Sequence, residues 1–200
     1  MSAPPTPPLL LASISPQRRE ILRQLDIPFA AVEPLYKETP AKAQKGSDPL
    51  SVVLSHSQGK ARSVLDTADD RPVLGVDTEV VIDGQLLGKP AGAAEAEAML
   101  ERLSGSTHEV VSGLCLVTPA WEELHHETTF VTFRPLTARD LAHYIGSREW
   151  EQRAGGYAIQ GLGASLVERI EGDYLNVVGL PAALLVRLLA QRFAGIYGFG

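Results

Sequence analysis

Two acids lie in the middle of an apolar segment, residues 73–90, which reads VLGVDTEVVIDGQLLGKP. Successive side chains of a strand point to opposite faces, so Asp77 and Glu79 would share one face. A carboxylate buried in such a strand is costly unless it is paired or binds a metal. The segment could also be an edge strand with one solvated face. Thr78 directly after Asp77, and Lys89 shortly beyond the turn, favour a site for a charged ligand instead.

A second group of polar residues opens the first predicted helix. Ser15 is a suitable N-cap and Pro16 a suitable first helical residue, which accounts for both without any function. Arg18 and Arg19 are not accounted for, because a helix N-terminus favours acids in its first turn, by about 0.3–1 kcal/mol each. A strand, a serine-rich turn and a helix start with added arginines together predict a phosphate-binding site.

Two other charged residues are ambiguous when taken alone. Lys60 falls at the edge of the apolar stripe of a helix predicted at residues 48–66, where its ammonium could reach solvent or enter a cleft beside the central strand. Glu38 is an acid in a polar connection. We place His125 and His126 in a polar loop and expect no metal there, because adjacent side chains of an extended chain diverge and no third ligand is near.

The elements that must position these residues alternate between strands and helices. Apolar patterns predict strands at residues 9–12, 29–32, 73–82, 85–88, 107–117, 127–133 and 164–170. They predict helices at residues 16–25, 48–66, 93–103, 137–147 and 181–193. The Asp83-Gly84 pair suits a tight hairpin turn. Residues 148–163 form a glycine-rich loop that is too long to be a simple connector.

Composition limits the class of protein. The chain has 200 residues, 44% of them hydrophobic, and a net charge of −6, which fits a soluble globular protein and argues against binding a nucleic acid polymer through a broad basic surface. Its one cysteine, Cys115, excludes an intrachain disulfide and suits a reducing cytoplasm. We see no secretory signal and no membrane-spanning run. We predict a flexible tail at residues 1–8, one domain at residues 9–192 and a C-terminal tail at residues 193–200.

Four segments resemble the Maf family of nucleoside triphosphate pyrophosphatases, in the family's order and over nearly the whole chain. They are LASISPQRREIL, VLGVDTEVVIDGQLLGKP, LSGSTHEVVSGL and AGGYAIQGLGASLVERIEGDYLNVVGLP. The resemblance implies an α/β fold similar to that of the ITPases, with an elongated, twisted, mixed sheet flanked by helices and a central cleft. It also implies a homodimer that hydrolyses a nucleoside triphosphate to the monophosphate and pyrophosphate with a divalent metal, Mg²⁺ or Mn²⁺.

The family's functional positions can be carried over one by one. Catalytic roles are implied for Arg18, Lys60, Asp77 and Lys89. Substrate-binding roles are implied for Ser13, Ser15, Gln17, Thr78 and Gln160, and metal-binding roles for Glu38 and Asp77. Gln17 is a departure, because many members of the pyrimidine-preferring branch have arginine at this position, which is linked to nucleotide selectivity. We expect Arg18, Lys60 and Lys89 to repel one another when no substrate is bound.

The resulting hypothesis is a cytoplasmic pyrophosphatase that acts on dTTP and UTP. One alternative keeps the chemistry but changes the base to a modified guanine, as in 7-methyl-GTP. The branch that resembles a 7-methyl-GTP hydrolase has glutamate in place of Gln160. Another alternative is a nucleotide-binding regulator of cell division that does not turn its nucleotide over.

Overall fold

The computed structural model describes residues 7–40, 44 and 46–200, which fold around a seven-stranded sheet. The strands are β1 (Leu9–Ala12), β2 (Phe29–Val32), β3 (Val73–Ile82), β4 (Gln85–Leu87), β5 (Thr107–Thr118), β6 (Trp121–Phe133) and β7 (Val167–Glu171). Their order is β2-β1-β3-β5-β6-β7, and the short β4 pairs with β3 outside this path. β1 is parallel to β2 and β3, whereas β3 is antiparallel to β5. The predicted α/β fold with a mixed sheet is therefore confirmed.

Helices flank the sheet, and local sequence signals account for where several of them begin. In the described residues they are α1 (Pro16–Gln24), α2 (Pro49–Arg62), α3 (Ala93–Leu103), α4 (Ala138–Ser147), α5 (Tyr174–Val178) and α6 (Ala182–Phe193). Side chains of Ser15, Asp48 and Thr137 cap α1, α2 and α4 by accepting backbone N–H groups. None of these helices has the length and apolar character that crossing a bilayer requires.

Apolar side chains cover both faces of the sheet. α2 packs on one face, over β3 and β5. On the other face, one cluster joins Leu74 and Val76 to α1 and α6, and a second joins Val80 and Ile82 to α3 and α4. Because side chains alternate along β3, Thr78 lies between these two clusters, at the point where they separate.

One edge of β3 is open in the middle. β3 pairs with β5 along nearly its whole length. On the other edge, β1 pairs only with Val73 and Leu74, and β4 pairs only with residues 80–82. Within the described part of the chain, residues 75–79 therefore have no strand partner on that edge. Asp77 lies at the centre of this open stretch.

Two glycines allow α2 to lie very close to the sheet. A Cβ atom built on Gly75 would lie 2.2 Å from the Ser57 carbonyl oxygen, and one on Gly113 would lie 2.2 Å from the Val53 carbonyl oxygen. Side chains at these two positions would therefore push the helix away. Because Gly113 pairs with Asp77 across the β3–β5 ladder, the close approach is centred on the acid.

The prediction of a polar loop around His125 and His126 is wrong. β6 begins at Trp121, and both histidines pair across the ladder with β5, His125 with Leu114 and His126 with Gly113. The run WEELHHETT is too polar for a strand with a buried face, but the long β5 supplies partners for its backbone groups.

The other differences lie in the last third of the chain and at its ends. β7 begins at Val167 because a 3₁₀ segment, Gly161–Leu166, precedes it, and the short α5 was not predicted. In the predicted C-terminal tail, Tyr197 is buried and its hydroxyl donates to the Pro7 carbonyl, 2.9 Å away. Most of the predicted N-terminal tail, residues 1–6, lies outside the described residues.

Candidate active site

A cavity of about 640 Å³ opens along the free edge of β3, and we call it the cleft. It is lined by residues of the β1–α1 turn, α2, β3, the segment after β4 and the glycine-rich loop. All ten residues singled out for the site line it: Ser13, Ser15, Gln17, Arg18, Glu38, Lys60, Asp77, Thr78, Lys89 and Gln160. The structure thus brings together residues from distant parts of the sequence, while their individual roles stay predictions.

Arg18, in the first turn of α1, is held in the cleft by three hydrogen bonds. Its Nε donates to the Gly179 carbonyl oxygen at 2.8 Å, and its two terminal nitrogens donate to the Ser13 and Thr78 hydroxyl oxygens, each at 3.3 Å. Burial lowers the pKa of the Arg18 guanidinium, although the negative charges of Asp77 and Glu38 oppose that shift. The guanidinium is therefore fixed by neutral acceptors, which leaves its charge available to an anion in the cleft.

Asp77 is buried, and both of its oxygens accept hydrogen bonds from α2. Lys60 Nζ lies 2.6 Å from Oδ1, and His56 Nδ1 lies 3.2 Å from Oδ2. Burial alone would raise the pKa of Asp77, but the His56 hydrogen bond, the Lys60 ammonium and the Arg18 charge outweigh it and bring the pKa to about 2. Asp77 is accordingly ionised throughout the neutral pH range.

Lys60 enters the cleft and does not extend to solvent. Its ammonium is buried, and besides Asp77 it contacts Glu38 Oε1 at 2.5 Å and the Val76 carbonyl oxygen at 3.3 Å. The expected repulsion among the cleft's cations is therefore wrong for Lys60, because two carboxylates neutralise it. Lys60 also links Glu38, which lies on a loop, to the acid on the central strand.

Glu79 is a site residue that the sequence reasoning did not assign. It lines the cleft half-buried, and its Oε2 is buried without a hydrogen-bond partner among the described residues. Burial, and then the charges of Asp77 and Glu38, raise the pKa of Glu79 to about 8, although Lys89 and Lys60 act in the other direction. The sequence did contain a signal for Glu79, because strand alternation places it on the same face of β3 as Asp77.

His56 is the second residue that was missed. It is buried at 3% exposure and lies one helical turn before Lys60, so both side chains project from one face of α2 toward Asp77. The i, i+4 spacing from Lys60 was visible in the sequence. It had no meaning until the packing of α2 on β3 was known.

The carboxyl groups of the cleft fit a divalent cation. No three histidine, cysteine or acidic side chains within residues 7–40, 44 and 46–200 form a ready-made metal cage. Mg²⁺, however, usually binds one or two carboxylates and takes its other ligands from water and phosphate. The unpartnered Glu79 oxygen, whose pKa is raised by the nearby Asp77 and Glu38 charges, indicates a place where added positive charge would be favourable.

The glycine-rich loop is held by one of its own side chains, Glu149, and Gln160 of the same loop lines the cleft. The Glu149 carboxylate accepts the Leu162 and Gly163 N–H groups at 3.0 and 3.1 Å. Gly161, at a φ of +65°, lies so close that a Cβ there would be 2.6 Å from Glu149 Oε1. The positive φ favours glycine at this turn, and a side chain there would also displace the Glu149 carboxylate. Gln160 itself is exposed toward the cleft.

Comparisons with known sequences agree on one family. The sequence profile of the family described as Maf-like protein matches residues 8–192. The dTTP/UTP pyrophosphatase of Deinococcus radiodurans is 44% identical over 200 residues, 100% of both chains. That of Symbiobacterium thermophilum is 45% identical over 183 residues, 92% of this chain and 93% of the other. The solved structure of the nucleoside-triphosphatase (dITP/XTP pyrophosphatase) from Mycobacterium abscessus has a TM-score of 0.48 at 19% identity, covering 94% of this chain and 99% of that one.

Proposed function

The chain belongs to the Maf-like protein family, and from this premise we propose that it hydrolyses dTTP and UTP to the nucleoside monophosphate and pyrophosphate. The proposal rests on one observation: the side chains of Arg18, Lys60 and Lys89 line the same cleft as the ionised Asp77. Each comes from a different element of the fold. Three cations and a carboxylate in one cleft suit a reaction in which water attacks a phosphorus atom of a polyanion.

The three cations offset the negative charge of the triphosphate and of the carboxylates in the cleft. A polyanionic substrate resists a nucleophile, so charge that is held in place before the reaction lowers the barrier most. Arg18 is fixed by three hydrogen bonds and Lys60 by two carboxylates, while Lys89 is exposed at the cleft edge. Arg18 is therefore a preorganised charge for the triphosphate, Lys60 offsets part of the negative charge of Glu38 and Asp77 beside it, and Lys89 lies where it can contact the substrate.

Asp77 has two possible tasks in this reaction. With a pKa near 2 it remains an anion at neutral pH. It can hold a cation together with Glu38, or accept the proton of the attacking water. A divalent cation bound by Glu38 and Asp77 would supply further positive charge to the phosphate oxygens. Lys60 keeps the two carboxylates together in either case.

Gln160 supports the choice of a pyrimidine base. A glutamine amide presents an acceptor oxygen beside donor hydrogens. Uracil and thymine offer the matching edge, with the N3 hydrogen next to a carbonyl oxygen. Guanine offers two adjacent donors, which a carboxylate satisfies better than an amide does. The amide of Gln160 thus favours dTTP and UTP over the 7-methyl-GTP alternative, and Gln17 in the same cleft could modify the preference.

A panel of nucleoside triphosphates tests the proposal. Pyrophosphate release would be measured for dTTP, UTP, the other common triphosphates and 7-methyl-GTP, with Mg²⁺ or Mn²⁺. We expect dTTP and UTP to give the highest kcat/KM. A preference for 7-methyl-GTP would support the modified-guanine alternative, and tight binding without pyrophosphate release would support the non-catalytic regulator.

We also propose, from the family resemblance, that the protein is a cytoplasmic homodimer that does not bind a nucleic acid polymer. Light scattering on the purified protein tests the dimer. A monomer at micromolar concentration would contradict it.

A further inference from the structure

Asp77 is held from two sides by one helix. Lys60 donates to Oδ1 at 2.6 Å, and His56 Nδ1 lies 3.2 Å from Oδ2. The proposed function uses the lysine charge but assigns nothing to the histidine. His56 is buried, at 3% exposure, and does not line the cleft.

The direction of the His56 hydrogen bond follows from the chemistry of its partner. An ionised carboxylate can only accept hydrogen bonds, so Nδ1 must carry the hydrogen. In the neutral imidazole Nε2 is then an acceptor, and the Gln44 side-chain amide lies 3.4 Å from it, where it can donate. The Tyr36 ring packs beside the imidazole with 5.8 Å between centroids. His56 thus has a defined orientation and a partner at each nitrogen.

We propose that His56 is a positioning residue for Asp77. With one oxygen bound to Lys60 and the other to His56, the carboxylate cannot rotate, and its remaining lone pairs keep a constant direction. The inference deepens the proposed function and rests on it, since Asp77 is the acid whose orientation matters for the reaction. An imidazole that orients a carboxylate in this way acts through that carboxylate and does not touch the substrate.

A histidine that merely fills space would give different results from one that positions Asp77. If packing were its only task, an apolar side chain of similar size would replace it without loss. If it positions the acid, loss of the N–H donor would loosen Asp77 and lower both turnover and cation affinity. Loss of such an outer partner typically costs about 10–100-fold in metal affinity or activity.

The test compares two variants of the full chain. His56→Leu removes the donor and keeps an apolar side chain, whereas His56→Asn keeps a side-chain N–H close to the place of Nδ1. Four quantities would be measured: kcat and KM with UTP, the dissociation constant of Mn²⁺ in the absence of nucleotide, and the thermal midpoint. His143→Leu, on the exposed face of α4, controls for the loss of a histidine elsewhere.

We expect His56→Leu to lower kcat by about 10–100-fold and to weaken Mn²⁺ binding, with KM changed by less than about threefold. His56→Asn should recover a large part of both losses, and His143→Leu should change neither. If the leucine variant does not fold, His56→Met takes its place, because a methionine adapts to irregular space.

Three results would overturn the inference. They are an unchanged kcat and Mn²⁺ affinity in His56→Leu, equal losses in the leucine and asparagine variants, and a wild-type protein that binds no Mn²⁺. A wild-type protein that binds Mn²⁺ but hydrolyses no triphosphate would instead contradict the proposed function. The Mn²⁺ affinities of the variants would then still decide whether His56 positions Asp77.

Discussion

Asp77 and Glu79 are two residues apart on one face of β3, and their surroundings move their pKa values in opposite directions. Asp77 receives hydrogen bonds from His56 and Lys60, which bring its pKa to about 2. Glu79 has a buried oxygen without a partner among the described residues, and burial beside two other acids raises its pKa to about 8. The cleft thus holds one fixed anion and one carboxyl group whose proton a cation could displace into solvent.

The raised pKa of Glu79 predicts a pH effect on stability. The folded metal-free protein keeps the Glu79 proton up to about pH 8, while an unfolded glutamate loses it near its ordinary pKa of 4.5. Its contribution to stability is therefore complete below pH 4.5 and is lost as the pH rises to 8. Glu79→Gln removes the titrating group.

We expect Glu79→Gln to gain in thermal midpoint relative to wild type between pH 5 and pH 8, by several degrees. About 1 kcal/mol shifts the midpoint of a domain of this size by roughly 2–4 °C. Thermal scans in EDTA measure this, with Glu97→Gln on the exposed face of α3 as the control for loss of one charge. A difference that does not change with pH would contradict the argument.

Lys60 and Lys89 line the same cleft but should respond differently to alanine. Lys60 neutralises two carboxylates, so its removal leaves buried charge without a partner, and we expect a loss of about 3–5 kcal/mol in the free energy of unfolding. Lys89 is exposed, so Lys89→Ala should change stability by less than about 0.5 kcal/mol and still lower turnover strongly.

Urea unfolding and pyrophosphate release, measured side by side, separate these effects. Arg19→Ala, outside the cleft, should affect turnover least. Equal losses of stability in Lys60→Ala and Lys89→Ala would show that the Lys60 ion pairs contribute nothing to folding.

The base preference is tested at Gln160. We expect Gln160→Glu to lower hydrolysis of dTTP and UTP strongly, because a carboxylate cannot donate to their carbonyl oxygens. Hydrolysis of 7-methyl-GTP should fall less, or rise. The ratio of kcat/KM values for the three substrates measures this, with Gln191→Glu on the exposed face of α6 as the charge control. An unchanged ratio would remove Gln160 from base recognition.

At the scale of elements, the position of α2 decides the geometry around Asp77. The helix brings both His56 and Lys60, and it can do so because Gly75 and Gly113 have no side chains. A displacement of α2 by a few tenths of an ångström would lengthen both hydrogen bonds together. The two glycines are thus part of the site, although neither lines the cleft.

Gly113→Ala should therefore reduce both stability and turnover. Its Cβ would meet the Val53 carbonyl oxygen at 2.2 Å, and such overpacking costs about 1–3 kcal/mol. Gly92→Ala is the matched control, because Gly92 is extended at a φ of −174° and its Cβ would meet nothing within 4 Å. Calorimetry and pyrophosphate release measure the pair. A Gly113→Ala variant as stable and active as the control would show that α2 has room to move.

Sequence patterns predicted the elements whose signals are local. The hairpin of β3 and β4 and the Ser15 cap of α1 depend on neighbouring residues, and both formed as predicted. The extended β6 depends on a partner strand, and the roles of His56 and Glu79 depend on the packing of α2 and on burial. None of these can be read from a window of neighbouring residues.

At the scale of the whole molecule, the cleft exists because β1 and β4 share one edge of β3 without meeting. The gap between them exposes residues 75–79, and the β1–α1 turn and the glycine-rich loop close around it. The ten predicted site residues could be gathered from the sequence because the family resemblance linked segments that are far apart. Their convergence on a single strand edge was visible only in the fold.

The most direct test of this account is pyrophosphate release from UTP and dTTP by the wild-type protein and by Asp77→Asn. The substitution keeps the shape of Asp77 and removes the charge that holds a cation or accepts a proton. We expect turnover to fall by about 10²–10⁴-fold, while nucleotide binding, measured by calorimetry, changes by only a few-fold. Near-normal turnover in Asp77→Asn would contradict the account, because the acid at the centre of the cleft would then have only a structural role.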